Sequence, residues 1–202
     1  YDEVIKLDPK YSGAFFSRAI AKDELGKKEE AIKDYDEAIR INPKYSDAFN
    51  NRGLAKSELE KYQEAIIDLD EAIKLDPKNE SAFNNRGLAK SELGREEEAI
   101  KDYDEAIKLD PEYLLAFINR GLAKGELEKY EEAIKDLDEV IKLDPKNESA
   151  FFYRGLAKGE LEKYQEAIKD LDEAIKLDSK NNEIKKFKEI FEKELTITRE
   201  NK

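Results

Sequence analysis

The sequence contains no cysteine and no histidine among its 202 residues. It therefore lacks the usual thiol nucleophile, the side chain that most often acts as a general base near neutral pH, and the two commonest soft metal ligands. We accordingly expect no enzyme, no cofactor and no metal site. The absence of cysteine is consistent with a reducing cytosol but does not require one, because a protein without thiols is stable in any compartment.

Long apolar runs are also missing from the sequence. No stretch approaches the ~18 apolar residues of a membrane span, and the first residues do not resemble a basic-then-apolar signal peptide. The 49 acidic residues outnumber the 37 basic ones, so the net charge is -12, which repels phosphate backbones and anionic lipid headgroups. We therefore expect a soluble, cytoplasmic protein that binds neither nucleic acid nor membranes.

The five prolines show how the chain is organised, because neighbouring prolines are always 34 residues apart. They are Pro9, Pro43, Pro77, Pro111 and Pro145. Aligned on this period, the chain contains five complete repeats, numbered 1 to 5: residues 12–45, 46–79, 80–113, 114–147 and 148–181. Counted within each repeat, position 4 is always Phe, positions 10 and 20 are always Ala, and position 21 is always Ile. A fixed period of this length indicates a tandem repeat protein.

The apolar spacing predicts two helices in each repeat. The first runs from about position 2 to position 14, with apolar or small residues at positions 3, 4, 8, 10 and 14, a spacing that fits a helix and no strand. The second carries apolar residues at positions 20, 21, 24, 27 and 28 and ends before the proline, whose ring disfavours helical geometry at the preceding residue. A single helix pair cannot bury both apolar stripes, so the repeats must stack.

These features resemble the tetratricopeptide repeat (TPR): the period of 34, Phe at position 4, Gly at 8 in all repeats but the first, Ala at 20, Ala at 27 in all but the fourth, and Pro at 32 in all but the last. The resemblance covers residues 12–181 and implies an all-α fold, a right-handed superhelical α-solenoid of TPR helix-turn-helix repeats. It also implies a concave groove, lined by the first helices, that binds peptides or protein segments. We interpret residues 1–11 as the second half of a truncated upstream repeat and residues 182–202 as a C-terminal capping helix and tail.

Two positions depart from the family pattern. Position 7, usually large and apolar, is Arg in every repeat, and position 11, often aromatic, is Lys. We expect the Arg stems to pack while their heads meet second-helix acids such as Asp68 or Asp102, so that Arg86→Leu would fold at least as well as the parent. Asp residues recur at positions 23 and 25, but residues two apart on a helix do not face the same point. We therefore predict a solvated acidic face there rather than a chelating site.

The resemblance assigns the groove to positions 2, 5, 6, 9, 12 and 13 of the first helices. An Asn amide offers both a donor and an acceptor to an extended backbone, and the row at position 9 offers an apolar track. The alternative for that row is packing against neighbouring helices. The predicted peptide-binding residues are Phe16, Ile20, Asn50, Asn51, Leu54, Asn84, Asn85, Leu88, Ile118, Asn119, Leu122, Phe152, Tyr153 and Leu156.

The charges of this groove predict its partners. Position 13 is Glu in every repeat, which favours neutral or basic ligands. None of positions 2, 5 and 6 is basic, so we do not expect the clamp with which some family members bind a C-terminal carboxylate.

Two functions remain open at this point. One is a protein-protein interaction scaffold that binds a peptide or protein segment in the groove. The other is a structural or self-assembling module whose open repeat ends associate into a homo-oligomer. The Asn-Glu-Ser motifs that begin at Asn79 and Asn147 match a glycosylation acceptor, but both occupy the same repeat position, which favours helix capping instead.

Overall fold

A computed structural model describes residues 1–200, which form twelve α-helices and no strand. The all-α class and the two-helix repeat are therefore confirmed. After α1 (Asp2–Leu7), the repeats contribute five helix pairs, and one long helix follows them. The pairs are α2 (Ser12–Glu24) and α3 (Lys28–Ile41), α4 (Ser46–Glu58) and α5 (Tyr62–Leu75), α6 (Glu80–Ser91) and α7 (Glu96–Leu109), α8 (Leu114–Glu126) and α9 (Tyr130–Leu143), and α10 (Glu148–Glu160) and α11 (Tyr164–Leu177); the last helix is α12 (Asn182–Glu200).

The chain divides into two compact units, and the first, the N-terminal unit, runs from Tyr1 to Pro111. Within it each first helix packs on its own second helix, and α3 and α5 pack on the first helix of the following repeat. The first helices α2, α4 and α6 also contact one another in chain order. Glycine at position 8 permits this close packing: a Cβ added to Gly53 or Gly87 would lie 2.8 Å from Leu69 or 2.7 Å from Tyr103.

The C-terminal unit begins at Glu112 and contains α8 to α12. Consecutive helices pack in pairs, and the first helices α8 and α10 touch. The last helix, α12, packs on α11 and α10. Ile184 and Phe191 of α12 are buried in one cluster with Phe152 and Leu171, so α12 covers apolar surface of repeat 5.

The helix ends show how the sequence sets the turns. The side-chain oxygens of Asn79 and Asn147 accept hydrogen bonds from the backbone nitrogens of Ala82 and Ala150 at 2.9 and 3.0 Å. The capping interpretation of these two residues is therefore confirmed. At the other end of the first helices, position 15 is in the left-handed region in every repeat. It is Gly26 (φ 74°), Glu60 (φ 59°), Gly94 (φ 69°), Glu128 (φ 57°) and Glu162 (φ 57°).

Arginine at position 7 is held by carboxylates, as expected from the sequence. Arg86 Nε and Nη2 donate to the two carboxylate oxygens of Asp102 at 3.0 and 2.6 Å, and Lys90 Nζ donates to Asp102 at 2.6 Å. The Arg86 guanidinium also lies 5.5 Å from the centre of the Phe83 ring. Its third nitrogen, Nη1, binds Asp70 of the preceding repeat at 2.7 Å. The same pattern joins Arg52 to Asp36 and Asp68, and Arg154 to Asp138 and Asp170.

The acidic face is therefore only in part the solvated surface that we predicted. The position-23 aspartates are at most 5% exposed, so the prediction was wrong for the first member of each pair. Position 23 turns toward the adjacent first helix, where Arg at position 7 and Lys at position 11 compensate the buried charge. The position-23 residues are Asp34, Asp68, Asp102, Asp136 and Asp170.

Candidate functional site

The first helices present a row of apolar side chains at position 9. Ile20, Leu54 and Leu88 are half-buried in the N-terminal unit; in the C-terminal unit Leu156 is half-buried and Leu122 is 37% exposed. Each of the three first helices of the N-terminal unit therefore adds one aliphatic side chain to the same face. Each of the two first helices of the C-terminal unit does the same. We call the outward residues at positions 6, 9 and 13 the first-helix face.

Position 5, which we predicted to contact a ligand, lies deeper than this face. Asn50, Asn84, Ile118 and Phe152 are 9%, 4%, 9% and 8% exposed, whereas Phe16 is half-buried. A residue at this depth supports the face from below and offers a ligand little surface. In this conformation the direct contacts that remain available are those of positions 6 and 9.

Two asparagines of the N-terminal unit form a hydrogen bond with each other, and one of them is also half-exposed. Asn85 Nδ2 donates to Asn50 Oδ1 at 3.1 Å, which links position 6 of repeat 3 to position 5 of repeat 2. Asn51 and Asn85 stay half-exposed, as do Asn119 and Tyr153 at the same position of the C-terminal unit. The Asn85 amide is thus held in orientation before any ligand arrives, because its partner Asn50 is buried.

The charge of the face comes from the glutamates at position 13. All five are exposed: Glu24, Glu58, Glu92, Glu126 and Glu160. In the N-terminal unit two of them have partners on the second helix of the preceding repeat. Lys28 forms an ion pair with Glu58, and the Tyr62 hydroxyl donates to Glu92 at 3.3 Å. Partial burial and the negative charge of Glu92 raise the pKa of Tyr62.

Sequence reasoning missed Lys28 and Tyr62, the residues that meet two of these glutamates. They occupy position 17, at the start of the second helix, where the repeats differ: the residues there are Lys28, Tyr62, Glu96, Tyr130 and Tyr164. The variation among Lys, Tyr and Glu at this position was the available signal. Its meaning depends on the stacking of one repeat on the next, which brings position 17 close to position 13 of the following repeat.

Across residues 1–200 there is no group of three or more acidic side chains placed to hold a metal ion. In the same range, none of the helices has the length and apolar character needed to cross a bilayer.

Family models match most of the repeat region. Models described as tetratricopeptide repeat match residues 46–79, 81–113 and 149–181, and a model described as TPR repeat matches residues 24–59 and 125–161. No curated protein matches the chain in sequence.

Several solved structures share the fold at low sequence identity. The crystal structure of MamA aligns with a TM-score of 0.73 and 22% identity over 85% of this chain and 94% of that chain. That of YrrB, described as a TPR protein with an unusual peptide-binding site, aligns with a TM-score of 0.74 and 20% identity over 93% of this chain and 97% of that chain. A chain of the APC/C hetero-tetramer Cut9-Hcn1 gives a TM-score of 0.83 and 18% identity over 94% of this chain and 38% of that chain.

Proposed function

The chain belongs to the tetratricopeptide repeat family, and from this premise we propose that it is a scaffold that binds an extended peptide or protein segment on its first helices. The bound segment lies in a concave groove lined by positions 6 and 9, with position 5 supporting it from beneath. It is a binding function and not a catalytic one.

The observation that carries this proposal is the row of incompletely buried aliphatic side chains at position 9, flanked by half-exposed amides. Apolar groups aligned on one face of a soluble protein usually mark an interaction site. The amides of Asn51 and Asn85 supply donors and acceptors that suit a peptide backbone whatever its side chains. The peptide-binding site described for YrrB, a protein of the same fold, is consistent with this use of the scaffold.

The ligand that suits this face is a neutral or basic segment. The exposed glutamates at position 13 and the net charge of -12 disfavour an acidic one. A free C-terminal carboxylate finds no basic residue at positions 2, 5 or 6, so an internal segment fits better than a chain end.

A selection experiment tests the proposal. A random peptide library is panned against the 202-residue chain, and the affinities of the selected peptides are measured for the parent and for Asn85→Ala with Leu88→Asp. We expect the double variant to bind at least about tenfold more weakly, since a buried charge and a lost aliphatic contact together exceed 1.4 kcal/mol.

The control carries the same kind of change on another surface. Ile67 is 67% exposed on the second helix of repeat 2, so Ile67→Asp adds a charge away from the first-helix face. Both variants are checked for folding by circular dichroism. Equal peptide affinity of the parent and the double variant would contradict binding in the groove.

Self-assembly is the second candidate, because both terminal helices expose apolar side chains. Val4 and Leu7 of α1 are 41% and 86% exposed, and Ile190 and Ile197 of α12 are 40% and 50% exposed. Light scattering over a dilution series separates the two functions. A mass that grows with concentration and falls in Leu7→Asp would favour assembly, whereas a constant monomer would favour the scaffold.

A further inference from the structure

One cavity of the C-terminal unit differs from the rest of the first-helix face. It lies between α8, α9 and α10, has a volume of about 330 Å³, and has Leu122, Leu137 and Leu156 among its apolar lining residues. Two phenols, Tyr130 and Tyr153, also line it. The cavity therefore combines an aliphatic surface with aromatic rings.

Glycine at position 12 opens this cavity. A Cβ added to Gly125, which lines it, would meet nothing within 4 Å. The matching residues of the first three repeats are Asp23, Ser57 and Ser91, and Ser57 is buried. The absent side chain leaves room for a group from outside.

Three carboxylates line the cavity without a counter-ion. Glu126, Glu128 and Glu160 are exposed and form no ion pair with any residue of the described chain, 1–200. Partial burial, followed by the negative charges of Glu160, Glu128 and Glu126, raises the pKa of the Tyr130 phenol. The three charges thus act on one point of the cavity.

The N-terminal unit shows what an internal cation does at the equivalent place. There Lys28 occupies position 17 and forms an ion pair with Glu58 of the next repeat. In the C-terminal unit position 17 is Tyr130, and the matching glutamate, Glu160, has no ion-pair partner in the described chain. Where repeat 1 has the ammonium of Lys28, repeat 4 thus has the aromatic ring of Tyr130 and no cation.

We propose that this cavity binds the basic side chain, lysine or arginine, of the segment held in the groove. The aliphatic stem lies on the leucines, and the charged head lies between the tyrosine rings and the glutamates. Aromatic faces and carboxylates both attract a cation, and a long basic side chain buries its stem while its head keeps polar partners. This inference rests on the proposed function, since it names one anchor of the same ligand.

Other occupants fit this cavity less well. A neutral apolar side chain would remove water from the three carboxylates and offer them no partner. An acidic side chain would be repelled by all three. A cation supplies here the charge that Lys28 supplies in repeat 1.

The test uses capped amino acids, so that it does not depend on an extended peptide. The full chain, labelled with nitrogen-15, is titrated with N-acetyl-arginine amide, N-acetyl-lysine amide, the neutral N-acetyl-citrulline amide and the apolar N-acetyl-norleucine amide. The amide signals of Gly121 and Gly125 report on the cavity, and those of Gly53 and Gly87 serve as internal controls in the N-terminal unit.

We expect the arginine and lysine compounds to shift the Gly121 and Gly125 signals, with the two neutral compounds binding roughly tenfold more weakly. The two cationic arms show which head group is preferred. Equal affinity for the citrulline or norleucine compound, or no shift at Gly125 at tens of millimolar ligand, would overturn the proposal.

Variants then test the named groups. Glu160→Gln is expected to lower the affinity for the arginine and lysine compounds severalfold and to leave the affinity for the norleucine compound unchanged. Tyr130→Lys places an ammonium where repeat 1 has Lys28 and is expected to abolish the preference for cations, whereas Tyr62→Lys, the matched change in repeat 2, leaves it intact. A preference that survives Tyr130→Lys in a protein shown to be folded by circular dichroism contradicts the assignment.

The outcome is separable from that of the proposed function. If the affinity of selected peptides is unchanged in Asn85→Ala with Leu88→Asp while the arginine compound still shifts the Gly125 signal, the cation site is supported and the groove is contradicted. If peptide affinity depends on the groove but the cavity shows no preference for cations, the groove is supported and this inference is contradicted.

Discussion

At the scale of single residues, the arginine at position 7 joins its own helix to two second helices. Arg86 binds the second helix of its own repeat through Asp102, the preceding second helix through Asp70, and the ring of Phe83. The side chains of Arg86 and Asp102 are 18% and 6% exposed. A family position that is usually apolar is thus filled here by a cation with one buried and one exposed carboxylate partner.

The burial of Asp102 reverses our expectation for Arg86→Leu. Removing one partner of a buried pair leaves an uncompensated charge, and here Lys90 alone would remain beside Asp102. We predict that Arg86→Leu lowers the free energy of unfolding by about 3 kcal/mol, measured by urea titration. Arg86→Leu with Asp102→Asn removes the stranded charge and should regain a large part of the loss. A single variant as stable as the parent would show that the ion pair contributes nothing.

Two buried tyrosines predict a loss of stability at alkaline pH. Tyr35 and Tyr103 are each 1% exposed, and burial raises the pKa of both phenols. A group whose pKa is higher in the folded state contributes its full stability below its unfolded pKa, about 10 for tyrosine, and loses it as the pH rises above that value.

The variant that isolates this effect comes from the chain itself, because repeat 2 has Leu69 at the same position. We predict that Tyr35→Leu with Tyr103→Leu loses less stability than the parent between about pH 9 and pH 11, by urea titration at each pH. Equal losses would assign the alkaline effect to the lysines, which the two proteins share.

At the scale of the helix, the sequence predicted the elements well and their burial less well. The first helices were predicted from position 2 to position 14 and lie between position 1 and position 13, because periodicity locates a helix better than its ends. The apolar stripe at positions 20, 24 and 27 lies in the core as the pattern indicated. Position 5 of repeats 2 to 5 and the first Asp of each pair are buried by a neighbouring helix, and no pattern within one helix reveals a neighbour.

The turn between the two helices offers a test at this scale. Glu60 and Glu162 adopt positive φ angles of 59° and 57°, a region that costs a non-glycine residue roughly 1 to 2 kcal/mol. We predict that Glu60→Gly raises the free energy of unfolding by about 1 kcal/mol, despite the greater freedom of glycine in the unfolded chain. The reciprocal control is Gly26→Ala, where an added Cβ meets no atom within 4 Å, so that its cost of similar size comes from φ alone. A lower free energy of unfolding for Glu60→Gly together with a higher one for Gly26→Ala would contradict the proposed backbone strain.

At the scale of the whole molecule, the repeat period determined the class of fold and the layering of first and second helices, both readable from the sequence. The candidate site was only partly readable, because it depends on positions that vary between repeats. Tyr130, where repeat 1 has Lys, and Gly125, where repeats 1 to 3 have Asp or Ser, have no evident meaning in one repeat. They acquire one only when repeat 5 stacks on repeat 4 and brings Glu160 to the same cavity.

The central claim is that a peptide binds to the first helices, and mapping a selected peptide onto the backbone amides tests it most directly. With the nitrogen-15 labelled chain, the account predicts that signal changes concentrate at positions 6 and 9, at residues such as Leu54, Asn85 and Leu88. Changes concentrated instead on the exposed second-helix residues Lys33, Ile67 and Lys101, with the first helices unaltered, would contradict it.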